Sequence, residues 1–126
     1  MISVSQALKI HDIVIEKFGG ASGLRDEKLL KSALERPFQT FDGKDLYPTP
    51  ITKSSAILES ILMNHPFVDG NKRTGYVLFR LVLNYFDFDI HATQEEKYEF
   101  VISITTGERK FEEICLWVEE KIINIG

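Results

Sequence analysis

The sequence predicts an all-α fold, six helices packed around a central one, with a single short β-hairpin. Three observations carry that expectation. Apolar residues recur at three- and four-residue spacing through most of the chain. The periodic stretches are separated by glycine and proline, at Gly19, Gly20 and Gly23, then Pro37 through Pro50, Pro66 to Gly70, and Gly107. Only one segment, around Asp42-Gly43, carries a hairpin-turn signal.

The first helix is expected over residues 5–18, with Ala7, Leu8, His11, Val14, Ile15 and Phe18 on one side and Ser3 or Ser5 as cap. The second spans residues 27–36, capped by Asp26, with Leu29, Leu30, Ala33 and Leu34 inward. The third spans residues 52–64 and buries Ile57, Leu58, Ile61 and Leu62. It must stop at His65, because a residue before proline is pushed out of the helical region. The fourth, residues 71–86, presents a wide stripe of Val77, Leu78, Leu81, Val82 and Tyr85 and is the expected central helix. The fifth, residues 94–106, ends at Gly107 as a left-handed cap. The sixth, residues 110–123, runs through Phe111, Ile114, Cys115, Val118 and Ile122, with Trp117 at the stripe's edge as a core residue. The run Phe38, Gln39, Thr40, Phe41, Asp42, Gly43, Lys44, Asp45, Leu46, Tyr47 reads either as a mobile hairpin flap with Phe38 opposite Tyr47 or as an irregular connection.

A chain of 126 residues is the size of one domain, expected to cover residues 1–126. With 44% hydrophobic and 27% charged residues its composition excludes a disordered or fibrous chain. No apolar run approaches the length of a membrane span, and no basic-then-apolar leader opens the sequence. Cys115 is the one cysteine, so neither an internal disulfide nor a cysteine zinc site is expected. The expected location is cytoplasmic. The net charge of -4 argues against direct nucleic-acid binding. The charge is uneven, however: residues 71–80 hold Lys72, Arg73 and Arg80 and no acid, which suggests a pocket for a small anion.

The informative string is His65-Pro66-Phe67-Val68-Asp69-Gly70-Asn71-Lys72-Arg73-Thr74-Gly75. It opens the fourth helix, whose N-terminus offers unpartnered N–H groups and a partial positive charge. Gly70 allows a tight backbone and close approach of an anion. Lys72 and Arg73 add cations where they oppose the helix dipole, an arrangement that makes sense if a phosphate binds there. His65 is suited to remove a hydroxyl proton near neutral pH, and Asp69 is a hard oxygen donor for Mg²⁺. Asn71 can donate to a phosphate oxygen or cap the helix. Base, metal ligand and phosphate cradle are the parts that phosphoryl or nucleotidyl transfer needs. Outside the string, His11 reads as a hydrogen-bonded core histidine, Arg25 as a structural residue pairing near the start of the second helix, and His91 has no assigned role.

HPFVDGNKR resembles the signature of the Fic/Doc family, whose broad pattern is HPFx(D/E)GNGR. IHDIVIEKFGG (10–20), GLRDEKLLKSALERP (23–37) and TGE (106–108) are similar to the death-on-curing branch, so the likeness covers nearly the whole chain. It implies a helical Fic/Doc-type fold with a flap beside the site. AMP-transferring relatives have glycine in place of Lys72 and a second arginine in place of Tyr76. Lysine at that position marks Doc-like toxins, where it is held to reverse the nucleotide so that the γ-phosphate of ATP is transferred. The implied activity is therefore a protein kinase acting on a threonine of a translation factor such as elongation factor Tu. It would use ATP and Mg²⁺ and be restrained by a cognate antitoxin. The roles implied are His65 as base, Asp69 for Mg²⁺, Gly70 and Asn71 for the phosphate nest, and Lys72 and Arg73 for the phosphates. The inhibitory stretch (S/T)xxxE(G/N) of self-restrained relatives has only SAILES (55–60) as its nearest string, which fails at its last position. The competing expectations are AMP transfer, a non-catalytic nucleotide- or antitoxin-binding module, and a metal-dependent nuclease.

Overall fold

The computed structural model describes residues Met1–Gly126. Helix α1 (Val4–Phe18) is capped by Ser3, whose hydroxyl accepts from Gln6 while the Gln6 side chain accepts from the Ser3 amide. Helix α2 (Glu27–Glu35) starts at Asp26, which accepts from Leu29 N–H, and runs into a 3-10 turn, Arg36–Phe38. Strands β1 (Thr40–Phe41) and β2 (Lys44–Asp45) form the first hairpin. Helix α3 (Pro50–Asn64) begins at the Thr49 cap with Pro50 in its first turn, two residues earlier than its apolar pattern indicates. Helix α4 (Asn71–Tyr85), strand β3 (Phe88–Ile90), helices α5 (Gln94–Thr105) and α6 (Phe111–Lys121), and strand β4 (Ile122–Asn124) complete the chain.

The central helix is α3, not the expected fourth helix. Lys53 through Leu58 and Ser60 through Leu62 are all buried, and α3 packs on α2, the 3-10 turn, α4, α5 and α6. Small side chains allow this: Ser54, Ser55, Ala56 and Ser60 let neighbours approach from several directions. The two apolar faces of α3 feed two cores. Ile57 and Ile61 join Ala7, Leu30, Leu34, Phe67, Leu78 and Val82, whereas Leu58 and Leu62 join Phe79, Leu83, Phe100, Ile104, Ile114 and Trp117. Helix α4 turns Thr74, Gly75, Leu78, Phe79, Val82 and Leu83 inward, while Val77, Leu81 and Tyr85 of the expected stripe lie on the surface. At Gly75 a Cβ would stand 3.0 Å from Ile61 Cγ2, so a side chain there would press directly on α3.

The sixth helix stops at Lys121, short of the expected residue 123. Ile122–Asn124 instead pair antiparallel with Phe88–Ile90, in the register Phe88↔Asn124 and Ile90↔Ile122. The β-branched Ile122 and Ile123 favour the extended form once a partner strand is present. This second hairpin-like pair joins segments more than thirty residues apart (88 to 124) and has no local turn signal. Arg80 locks β3 to α4 through two bonds to Asp89, Nε to Oδ1 at 2.8 Å and Nη2 to Oδ2 at 2.6 Å.

This fork holds the Asp89 carboxyl down at about 2, against an ordinary 3.8, with the Ile90 amide adding to the effect. A depressed carboxylate stabilises the fold fully above its ordinary pKa and loses that contribution as the pH falls toward 2. Arg80 is well exposed, so solvent limits the pair's worth to about 1 kcal/mol. Asp89→Asn is therefore expected to lower Tm by a few degrees at pH 7, with wild type and variant converging near pH 2, checked by thermal melts across that range.

Candidate active site

The loop between α3 and α4 is built around Phe67. Its ring is 1% exposed and stacks on His11 of α1, with centroids 4.0 Å apart and planes within 4°. Asn71 clamps the Phe67 backbone from both ends: Phe67 N–H donates to Oδ1 and Nδ2 donates to Phe67 O, each at 3.0 Å. The Asn71 side chain thus staples the loop, neither capping α4 nor standing free toward an anion. The Gly23–Asp26 segment closes the other side. Leu24 bridges to Phe67, Val68 N–H donates to Gly23 O, and the amides of Arg25 and Asp26 both donate to Pro66 O.

With Phe67 pulled inward, the polar residues on either side are turned out. His65 caps α3 in the left-handed conformation, φ 48 and ψ 62. Histidine tolerates this region better than most residues, and such a backbone still costs about 1–3 kcal/mol. Its imidazole is exposed and makes no hydrogen bond. Arg25 does not pair locally at the start of α2. Its guanidinium crosses to the end of α3, with Nη2 donating to Asn64 O at 2.5 Å and Nε to His65 O at 2.7 Å. His11 is the hydrogen-bonded core histidine expected from its place on α1, and its Nε2 lies 2.7 Å from the carbonyl of Asp69.

Asp69 is held as an ionised carboxylate. Ala21 N–H donates to Oδ2 at 3.1 Å and Gly70 N–H to Oδ1 at 2.8 Å. These amides, the Ala21 contact foremost, and then Lys72 bring its pKa below the usual range. Gly20 permits the close approach: at φ 114, a Cβ there would sit 2.7 Å from Asp69 Oδ2. No group of three His, Cys, Asp or Glu residues converges anywhere in the chain. An oriented carboxylate with a spare lone pair on each oxygen and no second acid fits Mg²⁺. That ion takes one or two protein carboxylates and fills its octahedron with water and phosphate oxygens.

Helix α4 then starts at Gly70, itself left-handed at φ 74, with no side chain capping its first turn. Lys72 and Arg73 stand exposed on that turn, and neither forms an ion pair. The Arg73 guanidinium lies over the Phe18 ring, 4.5 Å from its centroid. Two exposed cations without ion pairs, uncapped backbone amides and a fixed carboxylate thus fall within residues 69–73, four positions after the unengaged imidazole of His65. This arrangement can bind a phosphate and remove a proton from a nearby hydroxyl. Tyr76, one turn further on, is half-buried against Phe79, and its hydroxyl has no partner. Burial pushes that phenol up to about 12, so Tyr76 stays neutral and supplies no charge to the site.

The hairpin is present at Asp42-Gly43, both with positive φ, in the expected register: Thr40↔Asp45 and Phe41↔Lys44. Leu46 N–H to Gln39 O adds one bond. Phe38 and Tyr47 do not pair as strand residues. Phe38 closes the 3-10 turn, and Tyr47 packs edge-on against Phe111, with the buried Lys53 and the half-buried Arg36 bonded to the ends of the hairpin. Lys53 Nζ donates to Pro37 O, Tyr47 O and Asp45 Oδ2, while Arg36 donates to Tyr47 Oη, Ala56 O, Glu59 and Ser60. Burial works against the Arg36 charge, but Tyr47 and Glu59 outweigh it and raise its pKa. The strands themselves are exposed, Phe41 at 75%. No hydrogen bond or ion pair joins residues 38–47 to residues 65–73. Lys53 and Arg36 escape a reading of the sequence, because nothing in their helical context shows that they reach back to the hairpin.

The Fic/DOC family model matches residues 1–83, which includes α1 to α3, the hairpin and all of the 65–75 string. The chain belongs to the Fic/Doc family. A toxin Doc of Mycolicibacterium smegmatis is 48% identical over 59 residues, covering 47% of this chain and 45% of that protein. The chain therefore aligns with less than half the length of that relative. In this Fic/Doc chain the family match contains every residue of the first turn of α4 and of the Asp69 support, whereas β3, α5, α6 and β4 lie beyond it.

Gly20→Ala is expected to displace the Asp69 carboxylate and weaken the Ala21 contact, raising the Asp69 pKa toward its ordinary value, as ¹³C carboxyl NMR would show. Lys53→Met leaves Pro37 O and Tyr47 O without their donor. It is expected to cost about 1–3 kcal/mol and to speed proteolysis within residues 39–46, both measurable on the purified chain.

Proposed function

We propose that this chain is the toxin of a toxin–antitoxin pair and acts as a protein kinase. On this reading it transfers the γ-phosphate of ATP to a threonine hydroxyl of a translation factor such as elongation factor Tu. The observation that carries the reading is Lys72 on the first turn of α4, exposed, without an ion-pair partner, and next to an end that no side chain caps. The likeness to the toxin Doc supports the reading as a toxin with an antitoxin partner.

His65 is assigned as the base that takes the acceptor proton, and Arg73 and Lys72 hold phosphate oxygens. The amides of the first turn of α4 bind the transferred group without needing to reorganise. Asp69 would hold Mg²⁺, which supplies charge neutralisation of the triphosphate when bound. The neutral, half-buried Tyr76 favours the kinase over AMP transfer, because the position of the second arginine carries no charge to clamp a reversed nucleotide. The exposed edges of the Thr40–Asp45 hairpin suit an extended target segment added as a strand.

Incubation with elongation factor and ATP labelled at the γ or α position separates the readings. Label from γ supports the kinase, label from α supports AMP transfer, and no label overturns catalysis on this target. His65→Asn, which tolerates the left-handed backbone but is not a base, is expected to slow transfer about 10²–10⁴-fold with Tm unchanged. Lys72→Gly is expected to lose γ-phosphate transfer and gain little AMP transfer, with Lys72→Gly/Tyr76→Arg gaining more. Intact-mass spectrometry of the target distinguishes the two additions. Asp69→Asn is expected to raise the Mg²⁺ concentration required for half-maximal rate.

A further inference from the structure

Three consecutive carbonyls surround the backbone of His65, and Arg25 takes part in holding all of them. Asn64 O and His65 O accept from the Arg25 guanidinium, at 2.5 and 2.7 Å. Pro66 O accepts from the Arg25 amide at 2.7 Å and the Asp26 amide at 3.0 Å. The carbonyls at the end of α3 have no partner within the helix and stand at the negative end of its dipole, where a cation is favoured. His65 is the residue there with the constrained backbone, left-handed at φ 48, followed by a proline that has no N–H to offer. Arg25 makes no hydrogen bond or ion pair with Asp69, Lys72 or Arg73.

We propose that Arg25 is a positioning residue for His65. Its planar fork fixes the left-handed turn and so sets the direction in which the imidazole projects from the end of α3. The assignment rests on reading His65 as the base. The guanidinium suits the task because it presents two donors in one rigid plane and keeps its charge across the physiological pH range. Lysine at the same place offers a single flexible ammonium, which can reach one carbonyl but does not hold the angle between two.

The test compares Arg25→Lys and Arg25→Ala with wild type in four readouts: kcat for target modification, Kd for ATP, Tm, and the ¹³Cα and ¹³Cβ shifts of His65. The expected result is a fall in kcat of about 10–100-fold, the usual consequence of a misplaced catalytic group. His65 shifts should leave their left-handed values, while Kd for ATP stays at the wild-type value. Ethylguanidine added to Arg25→Ala should restore part of kcat and leave the wild type unaffected. Unchanged kcat, or a loss of ATP affinity in step with kcat, would overturn the proposal, since the first shows no positioning and the second a general collapse. Where Arg25→Ala does not fold, Arg25→Lys provides the same comparison. If the wild type transfers neither phosphate nor AMP, the functional reading fails separately. The chemical shifts then decide the matter alone, and left-handed His65 shifts retained in either variant overturn the role of Arg25.

Discussion

Burial of the Phe67 ring is the constraint on which the site depends. Between the end of α3 and the start of α4 the chain reverses within six residues, 65 to 70, and it does so by pulling one aromatic side chain inward. The ring fills a space between α1, α2, α3 and α4 and lies flat on His11. Truncating a side chain of this size in a packed core costs about 3–5 kcal/mol. That energy offsets the strain of the left-handed turn at His65, and it leaves Asp69, Lys72 and Arg73 no route but outward. His11 then does two things: it covers the Phe67 ring and hydrogen-bonds the Asp69 carbonyl. The polar site is thus the outer side of a hydrophobic contact.

The hairpin follows a different logic. Two-residue strands in water have little stability of their own, and β1 and β2 bury nothing. Arg36 and Lys53 supply the order, Lys53 bonding both ends of the segment and Arg36 the Tyr47 hydroxyl, and each has most of its donors satisfied by fixed oxygens. Both are anchored on or against α3, with Lys53 in its first turn and His65 at its other end. Twelve residues separate them, about 18 Å along the helix axis at 1.5 Å per residue. The root of the hairpin and His65 are therefore set by one rigid element, although they do not touch.

Much of this was legible in the chain itself. The capping residues Asp26 and Ser3, the stop before Pro66, the hairpin at Asp42-Gly43 and the tight turn at Gly70 are all local events governed by neighbours within four residues. The choice of the fourth helix as the centre followed from counting apolar residues. Yet α3 is more buried because its serines and Ala56 are small, and smallness does not register as hydrophobicity. Asn71 illustrates the same limit: its type and position suggested a ligand contact or a cap, but the bent loop brings the Phe67 backbone within reach of both ends of its amide.

The sequence by itself determined the helical periodicity, the chain reversals and the string His65–Gly75, because each depends on backbone preference or residue spacing. Only the tertiary structure decided that Ile122–Asn124 leave the helix to pair with Phe88–Ile90, and that Arg25 reaches the end of α3. It alone set the Ala21 amide against Asp69 and brought Lys53 beneath the hairpin. These contacts join residues from 6 to 48 positions apart. A long polar side chain or a backbone amide can satisfy its hydrogen bonds with many partners equally well, so its partner is chosen by where packing of the apolar faces brings the elements, not by its own identity.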